Sequence, residues 1–298
     1  MWFLFSLFSI LAWSGSDLFS KMGSKPDDRY SHWKMVIAVG IVMGAHALYE
    51  MTLGGVHVTF QTILTYLPVS LLYILSMILG YAGLRYIELS ISSPICNSSG
   101  AITALMCFLF LHQTMSGIQF VGVVLLCLGM VAFAILERAR SADEIQAERA
   151  VSGKKYTNSF LAILFPILYC ILDGAGTFAD AIVLDSGMLE ERPANVAYEL
   201  TFLFMAAVAF IYVQIIKKEK IQITREKPKF LAAVCETAGQ FTYVFAIGAN
   251  AILAAPMIAS YCIFSVLWSH LFLKERLSKK HYIVIAIVTV GIFILGME

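Results

Sequence analysis

The chain has 298 residues, 59% of them apolar and only 14% charged, with a formal net charge of +1. A soluble domain carries about 25% charged residues, so this deficit, with a mean hydropathy of +0.80, excludes an ordinary soluble fold and points to lipid as the solvent. The near-neutral balance argues neither for nucleic acid nor for an acidic partner.

Spanning a bilayer takes about 20 mostly apolar residues. Such stretches succeed one another along the chain at 2–20, 33–52, 64–86, 90–111, 117–137, 159–182, 195–216, 229–248, 250–273 and 281–297. None alternates with period two, so of the two architectures that satisfy the backbone in lipid, the helical bundle is predicted over the barrel. The first stretch lacks a basic leader and a small-residue cleavage site and contains Asp17, so it reads as a membrane helix and not a signal peptide. The six cysteines (Cys96, Cys107, Cys127, Cys170, Cys235, Cys262) all fall within apolar stretches, without Cys-x-x-Cys spacing, and read as small packing residues.

Twenty of the 21 Lys and Arg residues lie at or beside the connections after stretches 1, 3, 5, 7 and 9; Arg192 alone lies on the other side. The positive-inside rule then predicts a multi-pass protein of the cytoplasmic (inner) membrane, with the basic loops in the cytoplasm and both termini outside. So strong an asymmetry also supports the helix count.

The two halves resemble each other. Setting Pro94 against Pro256, an offset of 162, places FLFLHQTMS (108–116) opposite HLFLKERLS (270–278), Gln113 opposite Glu275, and Tyr81 opposite Tyr243. Trp13-x-x-x-Asp17 near the start of one half matches Tyr169-x-x-x-Asp173 in the other. Five helices per half is an odd number, so the second half must lie upside down relative to the first, the inverted repeat of many secondary transporters. The predicted organisation is a first repeat over 1–137, a charged linker over 138–158 and a second repeat over 159–298.

The run GYAGLRYIELSISSP (80–94), then FLHQTMSGIQFVGVVLLCLGMVAF (110–133), resembles the drug/metabolite transporter superfamily, specifically its EamA-type members. The second half carries the counterparts Tyr243, Pro256 and LFLKERLSKKHYIVIAIVTVGIFILG (271–296), so the resemblance covers nearly the whole chain. The family's Leu-Gly-Glu appears here as Leu111-His112-Gln113 and Leu273-Lys274-Glu275, without either glycine. The resemblance implies a ten-helix permease and leaves the substrate open.

Ionisable residues inside apolar helices cost about 3 kcal/mol each at mid-helix on insertion scales, which makes them candidates for function. Glu236, Gln240 and Tyr243 share a helical face, as i, i+4 and i+7 positions do, and read as a cavity lining; the alternative is a buried structural carboxyl. Asp173 sits beside Gly174 and Gly176, where close backbone approach or unwinding is permitted, and Tyr169 lies one turn before it; the alternative is a helix-packing Asp hydrogen-bonded to a neighbour. Glu199 falls near the outer end of its helix, either in the site or simply in water. His46 is a proton acceptor or a hydrogen-bonding group between helices. Asp17, four residues before Lys21, reads as a snorkelling or paired residue at the cytoplasmic boundary, while His270 and Asp180 read as helix-end residues.

The polar run around Pro94 (Ser92, Ser93, Cys96, Asn97, Ser98, Ser99) either packs helices closely or lines the cavity, with Asn97 meeting substrate. Trp13, Tyr169, Tyr198, Tyr243 and Tyr261 supply the rings for a cation cage, or are packing aromatics.

The candidate substrate-binding set is therefore Glu236, Asp173, Glu199, Asn97, Gln240, Tyr243, Trp13, Tyr169 and His46. Carboxylates with no buried basic partner favour a small cationic or zwitterionic solute such as an amine or amino acid, moved by alternating access and driven by a proton or a solute gradient. No P-loop, His-Glu-x-x-His or Gly-x-Ser-x-Gly pattern occurs, so neither nucleotide hydrolysis nor a membrane enzyme is predicted, and no cofactor or metal is called for. The rival reading is an accessory subunit or a component of a lipid-linked-sugar flippase.

Overall fold

In lipid the backbone has only itself to bond with, and helices joined by short turns make up the described residues, 1–24, 28–83, 95–138, 160–221, 224–273 and 277–297 of a computed structural model. The helices are α1 Trp2–Gly23, α2 Ser31–Thr52, α3 Phe60–Gly83, α4 Ser99–Phe110, α5 Gly117–Arg138, α6 Phe160–Asp185, α7 Glu191–Phe210, α8 Lys227–Ala259, α9 Tyr261–Leu273 and α10 Lys279–Gly296. A π-helical turn, Ile211–Ile216, extends α7. No strand occurs among the described residues. Of the linker expected over 138–158 only Arg138 is described; Lys25, Arg85, Ser92, Ser93, Pro94, Lys274, Glu275 and Arg276 also lie outside the described residues.

Seven helical stretches among the described residues are long and apolar enough to cross a membrane, and Ser99–Phe110 and Gly117–Ala132 are shorter apolar helices. Large apolar side chains such as Leu4, Phe8, Phe108, Ile135, Phe204 and Phe293 stand exposed on the outer surface. In water so much exposed apolar surface would drive association; in lipid it costs nothing. The interior holds Ile10, Met43, Tyr66, Ile74, Phe202 and Met257, each essentially inaccessible.

The packing is symmetric under exchange of the halves. The first helix of each half lies along the third helix of the other: α1 on α8, and α6 on α3. α2 packs on α7 and α5 on α10, each with its own counterpart. Small residues permit the closest crossings. A Cβ added at Gly40 would come within 2.7 Å of the Phe202 carbonyl oxygen, and one at Gly100 within 2.6 Å of that of Ala255.

The eighth and ninth predicted stretches join differently from expectation. α8 is a 33-residue element with one non-helical residue, Asn250 (φ −167°, ψ 85°). Its side chain caps the helical turn beyond it, Oδ1 accepting the Leu253 amide at 3.3 Å. Gln113 reaches across from the α4–α5 connection to accept the Ile252 amide at 3.2 Å. The ring of Pro256 clashes with the carbonyl four residues before it and removes a donor, so its effect falls on the Asn250 side, and a second interruption falls at Ser260. There the amide bonds i→i−3 to Met257 at 3.1 Å. Ser98, which matches Ser260 at the offset of 162, is likewise a turn between helical residues 95–97 and α4.

Candidate functional site

Between the two halves, α1, α3, α4, α6, α7, α8 and α9 enclose a cavity of about 120 Å³, roughly ten times the space one water needs. Both interrupted helices contribute to it: Cys96, Asn97, Ser99 and Gly100 from one, Ala255, Ile258, Ala259 and Tyr261 from the other.

Three carboxylates face this space, Asp17 from α1, Asp173 from α6 and Glu236 from α8. Each accepts a hydrogen bond from a serine on another helix. Ser265 donates to Asp17 Oδ2 at 2.8 Å, Ser99 to Asp173 Oδ2 at 2.7 Å, and Ser16 to Glu236 Oε2 at 2.8 Å. The two aspartates are therefore equivalent: each sits on the first helix of its half and is held by a serine from the fourth helix of the other half. Fixing one oxygen of each carboxylate leaves the other for a ligand. No Lys, Arg or His is among the described lining residues.

Aromatic rings make the remaining wall. Trp13 lies tilted against Tyr243 at 4.9 Å and meets Tyr261 edge-on at 5.7 Å; Tyr73 packs at nearly right angles on Tyr198 and Tyr243. Trp13 fits only because residue 239 is glycine, where a Cβ would lie 2.3 Å from the indole Cδ1. Two donors at this wall, Trp13 Nε1 and Gln240 Nε2, are buried without a hydrogen-bond partner. Buried orphan donors are rare in folded proteins and suit a ligand that brings acceptors as well as charge.

Behind the wall, Tyr73 and Tyr243 touch through their hydroxyls at 2.8 Å, and Tyr243 donates to Thr177 Oγ1 at 2.7 Å. Deeper still, Asp180 Oδ1 accepts from Tyr66 at 2.6 Å, and its Oδ2 lies 3.5 Å from the Tyr73 hydroxyl.

Of the nine candidate residues, Glu236, Asp173, Asn97, Gln240, Tyr243, Trp13 and Tyr169 line the cavity, as do Tyr198 and Tyr261 of the cage. Glu199 and His46 do not. Glu199 is fully buried between α2 and α7, where His46 Nδ1 lies 2.8 and 3.0 Å from its two oxygens and Asn195 Nδ2 donates at 3.0 Å. The expectation that Glu199 meets water fails because α7 starts at Glu191, four residues earlier than predicted, which carries Glu199 two turns inside.

Asp17 corrects the sequence reading in the other direction. Its expected place is the boundary with Lys21, yet α1 continues to Gly23 and Asp17 faces the cavity. The matched Trp13-x-x-x-Asp17 and Tyr169-x-x-x-Asp173 carry that signal. Ser16, Tyr73 and Thr177 are not separable by sequence from ordinary helix-packing residues, whereas Ser99 belongs to the polar run around Pro94.

The model of the EamA-like transporter family matches residues 1–135 and 161–297. An uncharacterized protein of Methanocaldococcus jannaschii, MJ1333.1, is 32% identical over 104 residues, which are 35% of this chain and 74% of that protein. A protein solved by crystallography superimposes with a TM-score of 0.68 over 99% of this chain and 96% of its own, at 12% identity, a likeness of fold alone.

Proposed function

Because the chain belongs to the EamA-like transporter family of the drug/metabolite transporter superfamily, we propose that this multi-pass membrane protein moves a small organic cation or zwitterion by alternating access. Two inverted five-helix repeats rock about the central cavity. Several observations support the repeats: the family match in two segments flanking the charged stretch, the exchange symmetry of helix packing, and the equivalent Asp17 and Asp173. The stretch Lys227–Phe272 has 46 residues, about 70 Å if straight and so enough for two crossings; bent at Asn250, it supports ten spans. The basic loops face the cytoplasm, with the protein in the cytoplasmic membrane and both termini outside, as their charge bias favours.

The observation that carries the substrate class is the cavity's chemistry: three carboxylates, six tyrosines and a tryptophan, with no basic side chain among the described lining residues. A phosphate or carboxylate solute would face like charge, whereas an ammonium group gains both carboxylates and ring faces. Glu236, Asp173 and Asp17 hold the cation, the rings of Trp13, Tyr169, Tyr243 and Tyr261 surround it, and Gln240 and Asn97 meet its polar groups. A proton gradient drives the cycle.

A ligand that binds the folded state raises the melting temperature by mass action. We expect amines or amino acids to stabilise the purified wild type and to lose that effect in Glu236→Gln, while sugars and nucleosides do nothing. Equal shifts in both proteins make Glu236 structural; no shift with any of these compounds favours the accessory-subunit reading.

A further inference from the structure

Asp180 belongs to no part of the substrate site. It is fully buried on α6, behind the aromatic wall, and among the described residues the hydrogen-bond partners of its carboxyl are hydroxyls: Tyr66 and Tyr73 from α3. Among the described residues no cation pairs with it. An intramembrane carboxyl costs about 3 kcal/mol on insertion scales, which makes Asp180 a candidate for function.

The hydrogens in this network can be counted, because each hydroxyl has one to give. Thr177 gives its hydrogen to the Asp173 carbonyl at 3.0 Å. Tyr243 gives its own to Thr177 at 2.7 Å. The 2.8 Å contact between Tyr243 and Tyr73 therefore takes the hydrogen of Tyr73. Nothing is left on Tyr73 for the 3.5 Å contact with Asp180 Oδ2, and a hydrogen there has to come from Asp180 itself. Tyr66 fills the other oxygen, Oδ1, at 2.6 Å. The result is a single-file row, Asp180 to Tyr73 to Tyr243 to Thr177, whose last three members all line the cavity.

We propose that Asp180 is a proton-binding site separate from the substrate carboxylates, joined to the cavity by the hydroxyls of Tyr73, Tyr243 and Thr177. This rests on the transporter reading only for what the proton does, namely couple the cycle to a gradient. When Asp180 releases its proton, Tyr73 receives it and passes its own to Tyr243, Tyr243 passes one to Thr177, and Thr177, its hydroxyl turned from the Asp173 carbonyl to the cavity it lines, releases one to cavity water. Each hydroxyl gains one proton and loses one. The row then points the other way, with Tyr73 donating to the carboxylate, until a proton returns. The titratable groups facing this carboxyl and its row are Tyr66 and Tyr73 from α3, Tyr198 from α7 against Tyr73, Tyr243 from α8, and Asp173 on α6 itself. Solute and proton thus occupy different carboxyls, so neither has to displace the other.

The test uses the proton itself as probe and needs no identified solute. Infrared difference spectra of the purified full-length protein, taken between acid and alkaline pH, should contain a protonated-carboxyl C=O band that disappears on alkalinisation. Asp180→Asn should abolish that band. Tyr73→Phe, which keeps the carboxyl but removes its acceptor, should shift it and guards against a misfolded Asp180→Asn. The proposal is overturned if no band is lost in Asp180→Asn, if the Asp180 band persists unchanged at every pH, or if Tyr73→Phe leaves its frequency alone. These outcomes are independent of whether any solute is carried, so the failure of this site and of the transporter reading are told apart.

Discussion

Adding one methyl group at Gly100 should measurably loosen the contact between the two interrupted helices. A Cβ there would sit 2.6 Å from the carbonyl oxygen of Ala255, 2.7 Å from Ala259 Cβ and 3.0 Å from the Ala255 carbonyl carbon. All three are backbone atoms or a Cβ, so no flexible side chain can swing aside. Reaching ordinary contact requires the helices to separate by most of an ångström, and overpacking of this kind costs about 1–3 kcal/mol. Alanine's helical advantage over glycine, up to about 1 kcal/mol in a helix interior, offsets part of that. The net loss for Gly100→Ala is therefore about 1–2 kcal/mol, which lowers the melting temperature by roughly 2–4 °C per kcal/mol for a chain of this size. Gly100→Val should cost more. Gly117→Ala is the control, because a Cβ there meets nothing within 4 Å. Thermal unfolding of the three variants in detergent decides the matter. A Gly100→Ala protein that melts at or above the wild type would refute the close crossing.

Three further outcomes rest on single contacts. Arg192 places Nε and Nη2 at 3.0 and 2.7 Å from Glu50 Oε2; Arg192→Gln strands that buried carboxylate and should cost about 1–3 kcal/mol, with much of the loss recovered in the Glu50→Gln/Arg192→Gln pair, read by thermal unfolding. Gln113→Ala removes the acceptor for the Ile252 amide and should cost about 1 kcal/mol, whereas Gln113→Glu keeps an acceptor and should melt like the wild type. His46→Ala should lower the melting temperature by leaving Glu199 with Asn195 alone, yet leave the ligand-induced shift of any cavity-binding amine unchanged, because His46 lies outside the cavity.

What the sequence reveals and what it hides divide along a physical line. Membrane helices announce themselves through uninterrupted apolar runs, and every predicted stretch overlaps a helix of the structure. Family membership is legible for the same reason, in segments such as 80–94 and 271–296. Depth within a helix is not legible, because it depends on where the helix ends, the least certain feature of any sequence reading. α6 runs three residues past its predicted end, to Asp185, and Asp180 changes from a terminal residue to a buried one. α1 runs to Gly23, and Asp17 moves from the boundary to the cavity wall. Helix pairing is invisible too: nothing along the chain says that α2 meets α7, so His46 and Glu199 read as cavity residues when in fact they satisfy each other.

Transport of an organic cation through this cavity is tested most directly by solute counterflow in proteoliposomes. Vesicles loaded with an amine that stabilises the purified protein receive the same amine in radiolabelled form outside, with wild type and Asp173→Asn compared. Cation transport predicts transient accumulation of label by the wild type, strong loss of it in Asp173→Asn, and no competition from organic anions of equal size. Absence of counterflow by the wild type, or equal exchange of anions, would contradict it.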